Sequence, residues 1–123
     1  MLSPIRILCT GGTFEKKYNE ISQVLSFDDT HVPEILGVGR SKLPTEVEMI
    51  FLMDSLDMKD EHRAKILERS FAAPEKHIVI THGTDTMVKT AAVLAAAISD
   101  KTIVLTGAMV PYEFRDSDAA YNL

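Results

Sequence analysis

Short β-branched runs alternate along this chain with longer stretches of helical spacing. Ile5 to Cys9 is apolar except for Arg6, Val47 to Met53 except for Glu48, His77-Ile78-Val79-Ile80 is continuous, and Lys101 to Leu105 reads KTIVL. Runs this short that are apolar on both faces predict strands buried in a parallel sheet. Between them, Met58 to Phe71 predicts a helix. Ala64, Leu67 and Phe71 share its apolar face with Ile66 beside them, and Lys59, Glu61, Glu68 and Arg69 face water. Asp57 with Asp60 is expected to cap it. The alanine-rich stretch 86–98 has no breaker and predicts a second helix. Pro33-Glu34-Ile35-Leu36 predicts a shorter one, capped by Asp29 or Thr30 and ended by Gly37 and Gly39.

A β/α alternation of this kind specifies an α/β fold, and right-handed crossovers place every strand's carboxyl end on one edge of the sheet. In such sheets ligands bind at that edge. The residues at the strand ends therefore carry the functional reading. They are Thr10-Gly11-Gly12-Thr13, Asp54-Ser55-Leu56-Asp57-Met58, Thr81-His82-Gly83-Thr84-Asp85-Thr86 and Thr106-Gly107-Ala108-Met109. Glycine permits close backbone approach, and the N–H groups at a helix start favour anions. Any one of these turns is more often only a glycine turn or an N-cap, and it is the set that points to a site. The first turn has neither the glycine spacing of a dinucleotide fingerprint nor the lysine of a phosphate loop. The polar stretch from Phe14 to Ser26 predicts a loop with a short hairpin, placed to act as a lid. Tyr18 is its residue with acid/base potential, although loop tyrosines usually pack.

Ser117-Asp118-Ala119-Ala120 has the composition of a first helical turn. With 46% hydrophobic and 25% charged residues, the 123-residue chain is expected to form one soluble domain with a single core. A net charge of -5 offers no attraction to nucleic acid or an anionic membrane, so small molecules and further copies of the chain are the expected partners. The one cysteine, Cys9, sits in a strand and is expected to be a buried thiol. His31, His62, His77 and His82 are scattered, without metal-ligand spacing, so no metal or cofactor is expected. No secretory leader or membrane-length apolar run is evident, and a cytoplasmic location is expected.

ILCTGGTF at 7–14, DSLDM at 54–58, ITHGTDTM at 80–87 and VLTGAMVP at 104–111, with the ending SDAAYNL, resemble the N-terminal domain of the bacterial-type L-asparaginase family. TGGT alone is a weak motif; THGTDT is strong, and the ordered set is stronger. The resemblance implies a flavodoxin-like three-layer α/β/α fold, with a mostly parallel sheet and helices on both faces. It makes residues 1–123 a single such domain without the family's C-terminal domain. It also implies hydrolysis of the side-chain amide of L-asparagine or a similar small amide to carboxylate and ammonia, without cofactor.

By similarity, Thr13 is the nucleophile, assisted by Tyr18, and Thr84 the second catalytic threonine. Asp85 pairs with the substrate's α-ammonium, Ser55 holds its α-carboxylate, Gly12 and Gly83 count among the substrate-binding residues, and the Ala108 region lines the amide end. The chemistry agrees, because a threonine hydroxyl needs a neighbouring base and the tetrahedral intermediate needs fixed N–H donors. Two departures stand out. Leu56 occupies a place the family usually gives to a polar residue, and the family's catalytic lysine lies beyond the last motif present. A binding module for amino acids or dicarboxylates that has lost turnover is the alternative. A component of a tRNA-dependent amidotransferase fits the acidic charge less well. The open sheet edge predicts a homo-oligomer, dimer or tetramer.

Overall fold

The computed structural model describes residues 4–12, 15, 17–19, 24–26, 30, 32–38, 44–109, 118 and 122–123. Its elements are β1 (Ile5–Gly11), β2 (Lys17–Asn19), β3 (Val24–Ser26), α1 (Val32–Val38), β4 (Thr45–Met53), α2 (Asp60–Ala72), β5 (His77–Thr81), α3 (Met87–Ala97) and β6 (Thr102–Thr106). The four runs picked out by their hydropathy are all strands, and they form one sheet in the order β4-β1-β5-β6. Every pairing is parallel, with Ile7 opposite both Val47 and Val79, and Val79 opposite Val104. β2 and β3 form a separate antiparallel hairpin with Tyr18 opposite Leu25.

Side-chain alternation along the strands divides the core in two. Leu8, Ile78 and Ile80 pack with Ile66 of α2 and Leu94 of α3 on one face; Ile7 and Cys9 pack with Val32 and Ile35 of α1 on the other. This is the three-layer α/β/α arrangement, and β1 is its centre, buried from Ile7 onward. The Cys9 thiol is fully buried. Arg6 and Glu48, the charges that interrupt two strand runs, meet on adjacent strands. Arg6 Nη1 donates to Glu48 at 3.0 Å and its Nε to Glu75 at 2.9 Å, while Arg69 Nε donates to Glu48 at 2.6 Å. The Arg69 hydrogen bond holds the Glu48 carboxyl below its ordinary range, and the Arg6 bond does the same for Glu75.

The helices depart from the expected pattern in three places. α1 runs through Gly37 to Val38, and its Val32 N–H is accepted by the Thr30 hydroxyl at 3.2 Å; Asp29 lies outside the described residues. Asp57 does not cap α2: it belongs to a tight turn, Ser55–Asp57, and the Lys59 N–H at the helix start donates instead to His62 Nδ1 at 2.8 Å.

The face of α2 is also rotated from expectation. Arg63, Ile66 and Ser70, spaced by three and four, are buried, whereas Ala64 and Phe71 are exposed and Leu67 is half-buried. The Lys101 ammonium draws the end of α2 inward by donating to the carbonyls of Ser70, Phe71 and Ala73.

The rotation has a direct test. Ile66→Ala is expected to destabilise the protein by about 2 to 5 kcal/mol, and Phe71→Ser by about 0.5 kcal/mol or less, measured by urea unfolding. Equal losses would contradict the observed orientation of α2.

Candidate functional site

All four parallel strands end at the same edge, and their turns are in contact there. Gly11 and Gly12 adopt φ of 106° and 80°, a region side chains disfavour, and the Gly12 N–H donates to the Met53 carbonyl at 2.9 Å. A Cβ on Gly12 would overlap the backbone of Gly83, and one on Gly83 would lie 2.6 Å from Ser55 Oγ. The turns after β1, β4 and β5 are thus packed backbone to backbone.

β4 and β5 are not neighbours in the sheet, yet their turns are bonded beyond the end of β1. The Thr86 N–H donates to Ser55 Oγ at 3.2 Å, and the Thr86 hydroxyl donates to the Ser55 carbonyl at 2.9 Å. The β6 turn joins through the His82 N–H, which donates to the Thr106 carbonyl at 2.9 Å. Asp118 accepts the Met109 N–H and Asn122 donates to the Gly107 carbonyl at 2.8 Å, so these two side chains fasten the β6 turn.

The structure brings Gly12, Ser55, Gly83, Thr84 and Asp85 together. Gly12, Gly83 and Ser55 are buried, with Ser55 1% exposed, while Thr84 and Asp85 stand open to solvent. Ser55, whose structural duty is not visible in the sequence, has one here as the acceptor for the start of α3. Ala108 lies in the adjoining turn, and it packs into the core with Ile7, Cys9, Val32 and Ile35. Thr13 and the side chain of Tyr18 lie outside the described residues, as does the helical turn expected from Ser117, of which only Asp118 is described.

Behind the 82–86 turn is a buried polar cluster that hydropathy did not reveal. His82 is fully buried; its Nδ1 lies 2.7 Å from the Gly83 carbonyl and its Nε2 2.7 Å from Thr90 Oγ1. Arg63 Nε donates to the same Thr90 oxygen at 3.2 Å, and Arg63 Nη1 to the Met58 carbonyl at 3.3 Å. A carbonyl only accepts, so Nδ1 carries the ring proton, and the Thr90 hydroxyl donates to Nε2. Burial pushes the imidazole below its ordinary pKa, Arg63's charge pushes the same way, and the Gly83 carbonyl opposes them. The helical spacing of Arg63 to Ile66 and Ser70 was the available signal for this cluster. Among the described residues, no three His, Cys, Asp or Glu side chains gather as a metal ion requires.

The family described as Asparaginase, N-terminal matches residues 4–123. A protein of the glutamyl-tRNA(Gln) amidotransferase from Pyrococcus horikoshii is 33% identical over 99% of the chain and 30% of its own length. The thermostable L-asparaginase from Thermococcus kodakarensis superposes with a TM-score of 0.81 at 30% identity, covering 95% of this chain and 37% of that one. L-asparaginase I from Vibrio cholerae gives 0.84 at 25% identity, covering 98% and 38%. The chain therefore spans about a third of the length of the relatives it matches.

The neutral His82 predicts a pH dependence. The unfolded imidazole takes a proton near its ordinary value of about 6.5, while the folded one resists until lower pH, so stability falls as pH drops below about 6.5. Urea midpoints between about pH 7.5 and about pH 5.5 are expected to fall more for the wild type than for His82→Gln. Equal falls would contradict a neutral buried ring.

Proposed function

The chain belongs to the asparaginase family, whose N-terminal domain it matches over residues 4–123, and from that premise we propose that it hydrolyses the side-chain amide of L-asparagine or a similar small amide. The observation that carries this reading is the contact between Gly12 and Gly83. Each is followed in sequence by one of two threonines, Thr13 and Thr84. Thr13 is the nucleophile, attacking the amide carbon with loss of its hydroxyl proton; ammonia leaves, and water then releases the acyl group as carboxylate.

Thr84 and the Tyr18 phenol act on that proton. Asp85, exposed on the rim, pairs with the α-ammonium. Ser55 keeps its own O–H to donate toward the α-carboxylate, since its oxygen accepts from Thr86. Gly12 and Gly83 bring the two turns together beneath the substrate, and the Ala108 turn lines the amide end. Residues 1–123 act as one domain of the enzyme.

A second reading is favoured by the 33% identity to the Pyrococcus horikoshii amidotransferase protein: the same cleavage would then serve a glutamyl-tRNA(Gln) amidotransferase. The net charge of -5 gives this chain no attraction of its own for tRNA phosphates. A binding module without turnover keeps the same rim. No helix among the described residues is long and apolar enough to cross a membrane, and a cytoplasmic setting accords with the reading.

Self-association belongs to the proposal as well. β4 and β6 are the end strands of the described sheet, and Ala64, Leu67, Phe71, Ala72 and Ala97, with Glu68, line a largely apolar groove of about 400 Å³.

Ammonia release separates these readings. The wild type is expected to turn over asparagine, and Thr13→Ala and Thr84→Ala each to lower the rate at least about 100-fold. Calorimetric binding of aspartate without any ammonia release would overturn hydrolysis in favour of the binding module. Light scattering is expected to show a dimer or larger species at micromolar concentration, and a monomer would contradict self-association.

A further inference from the structure

We propose that Arg63 is a positioning residue for this site, its guanidinium joining the 54–58 turn to Thr90 of α3 and, through Thr90 and His82, to the 82–86 turn. The inference rests on the amide-cleaving reading given above. Arg63 is 6% exposed, and among the described residues no carboxylate pairs with it. A buried cation without an ion-pair partner is unfavourable for stability, so its two hydrogen bonds mark where it acts.

One bond goes to the Met58 carbonyl at 3.3 Å, and the Met58 N–H itself donates to the Ser55 carbonyl at 3.2 Å. That arm holds the turn carrying Ser55. The other goes to Thr90 Oγ1 at 3.2 Å, and from there the bonds run in one direction through His82 to the Gly83 carbonyl. The Gly83 carbonyl can only accept, so the ring proton sits on Nδ1 and the neutral Nε2 accepts from the Thr90 hydroxyl, whose oxygen in turn accepts from Arg63. The Gly83 carbonyl is thereby fixed toward the interior.

No peptide bond among the described residues is cis, so the N–H of the Gly83–Thr84 peptide points the opposite way from that carbonyl. The opposite way is the solvent rim, where Thr84 and Asp85 stand. Arg63 thus supports, through Thr90 and His82, the direction of a backbone donor that faces the ligand side, a group able to stabilise charge developing on an amide oxygen. A fork with separate donors is needed to reach both Thr90 and Met58, and a lysine ammonium, as a point charge, does not reproduce it.

The test compares the wild type with Arg63→Lys, Thr90→Val and Thr90→Ser by two readouts, the ring-nitrogen NMR signals of His82 and the kinetics of ammonia release. Arg63→Lys and Thr90→Val are expected to shift or broaden the His82 signals away from a single Nδ1–H tautomer. They are expected to lower kcat about 10- to 100-fold, with a smaller change in KM. Thr90→Ser, which keeps the hydroxyl, is expected to restore the tautomer and most of the rate. A residue that only stabilised the fold would lower the yield of folded protein and leave both readouts unchanged in what remains. Should Arg63→Lys fail to fold, Arg63→Gln decides. Wild-type ring signals and kcat in the variants that fold would overturn the proposal. If the wild type itself releases no ammonia, the activity reading falls alone, and a His82 signal that moves in Arg63→Lys still supports the bridge while an unmoved one overturns it.

Discussion

The approach of Gly12 to Gly83 is the constraint from which the rest of the site follows. A central parallel strand ordinarily keeps the loops on either side of it apart by the width of its own chain. Here β1 ends in Gly11 and is followed by Gly12, both with positive φ, and the backbone turns away without leaving a side chain behind. The turns after β4 and β5 close over the vacated end and bond to each other through Ser55 and Thr86. A side chain at either Gly12 or Gly83 would part them. Three sequence-distant segments become one surface because two strand ends carry no Cβ.

The two ends of the sheet are bonded differently. At the amino ends of the strands, the ion pairs of Arg6, Glu48, Arg69 and Glu75 tie β1, β4, α2 and the segment before β5 together. At the carboxyl ends, beneath the exposed Thr84 and Asp85, the polar bonds are directional, running from Arg63 through Thr90 and His82 to Gly83. Buried networks of this kind fix a single geometry when every member is satisfied. The support for Thr84 and Asp85 therefore comes from α2 and α3 as much as from the strand they follow.

Much of this was legible in the sequence, for identifiable reasons. Ile7 to Cys9, Ile78 to Ile80 and their neighbours are apolar over lengths that suit strands and not helices, so the four-stranded sheet and the one edge at which its strands end could be read directly. The motifs around Gly12, Ser55, Gly83 and Ala108 located the turns. The face of α2 could not be read this way. Two stripes lie side by side on that helix, and the one that is buried contains Arg63 and Ser70. Hydropathy scores an arginine as solvent-facing, whereas its donors are satisfied here by Thr90 and Met58. Asp57 looked like a cap because its spacing to Asp60 suits one, but the turn Ser55–Asp57 ends before the helix begins. The placement of Ser55 beneath Gly83 was equally hidden, since it depends on two segments meeting across a strand that separates them in the sheet.

Whether the strand ends gather Thr13, Thr84 and Asp85 around one ligand is decided by a crystal structure of the chain soaked with L-aspartate. The side-chain carboxylate is expected between the hydroxyls of Thr13 and Thr84, with the α-ammonium on Asp85. Aspartate bound away from the Gly12–Gly83 contact, or Thr13 directed to the other side of the sheet, would contradict that arrangement.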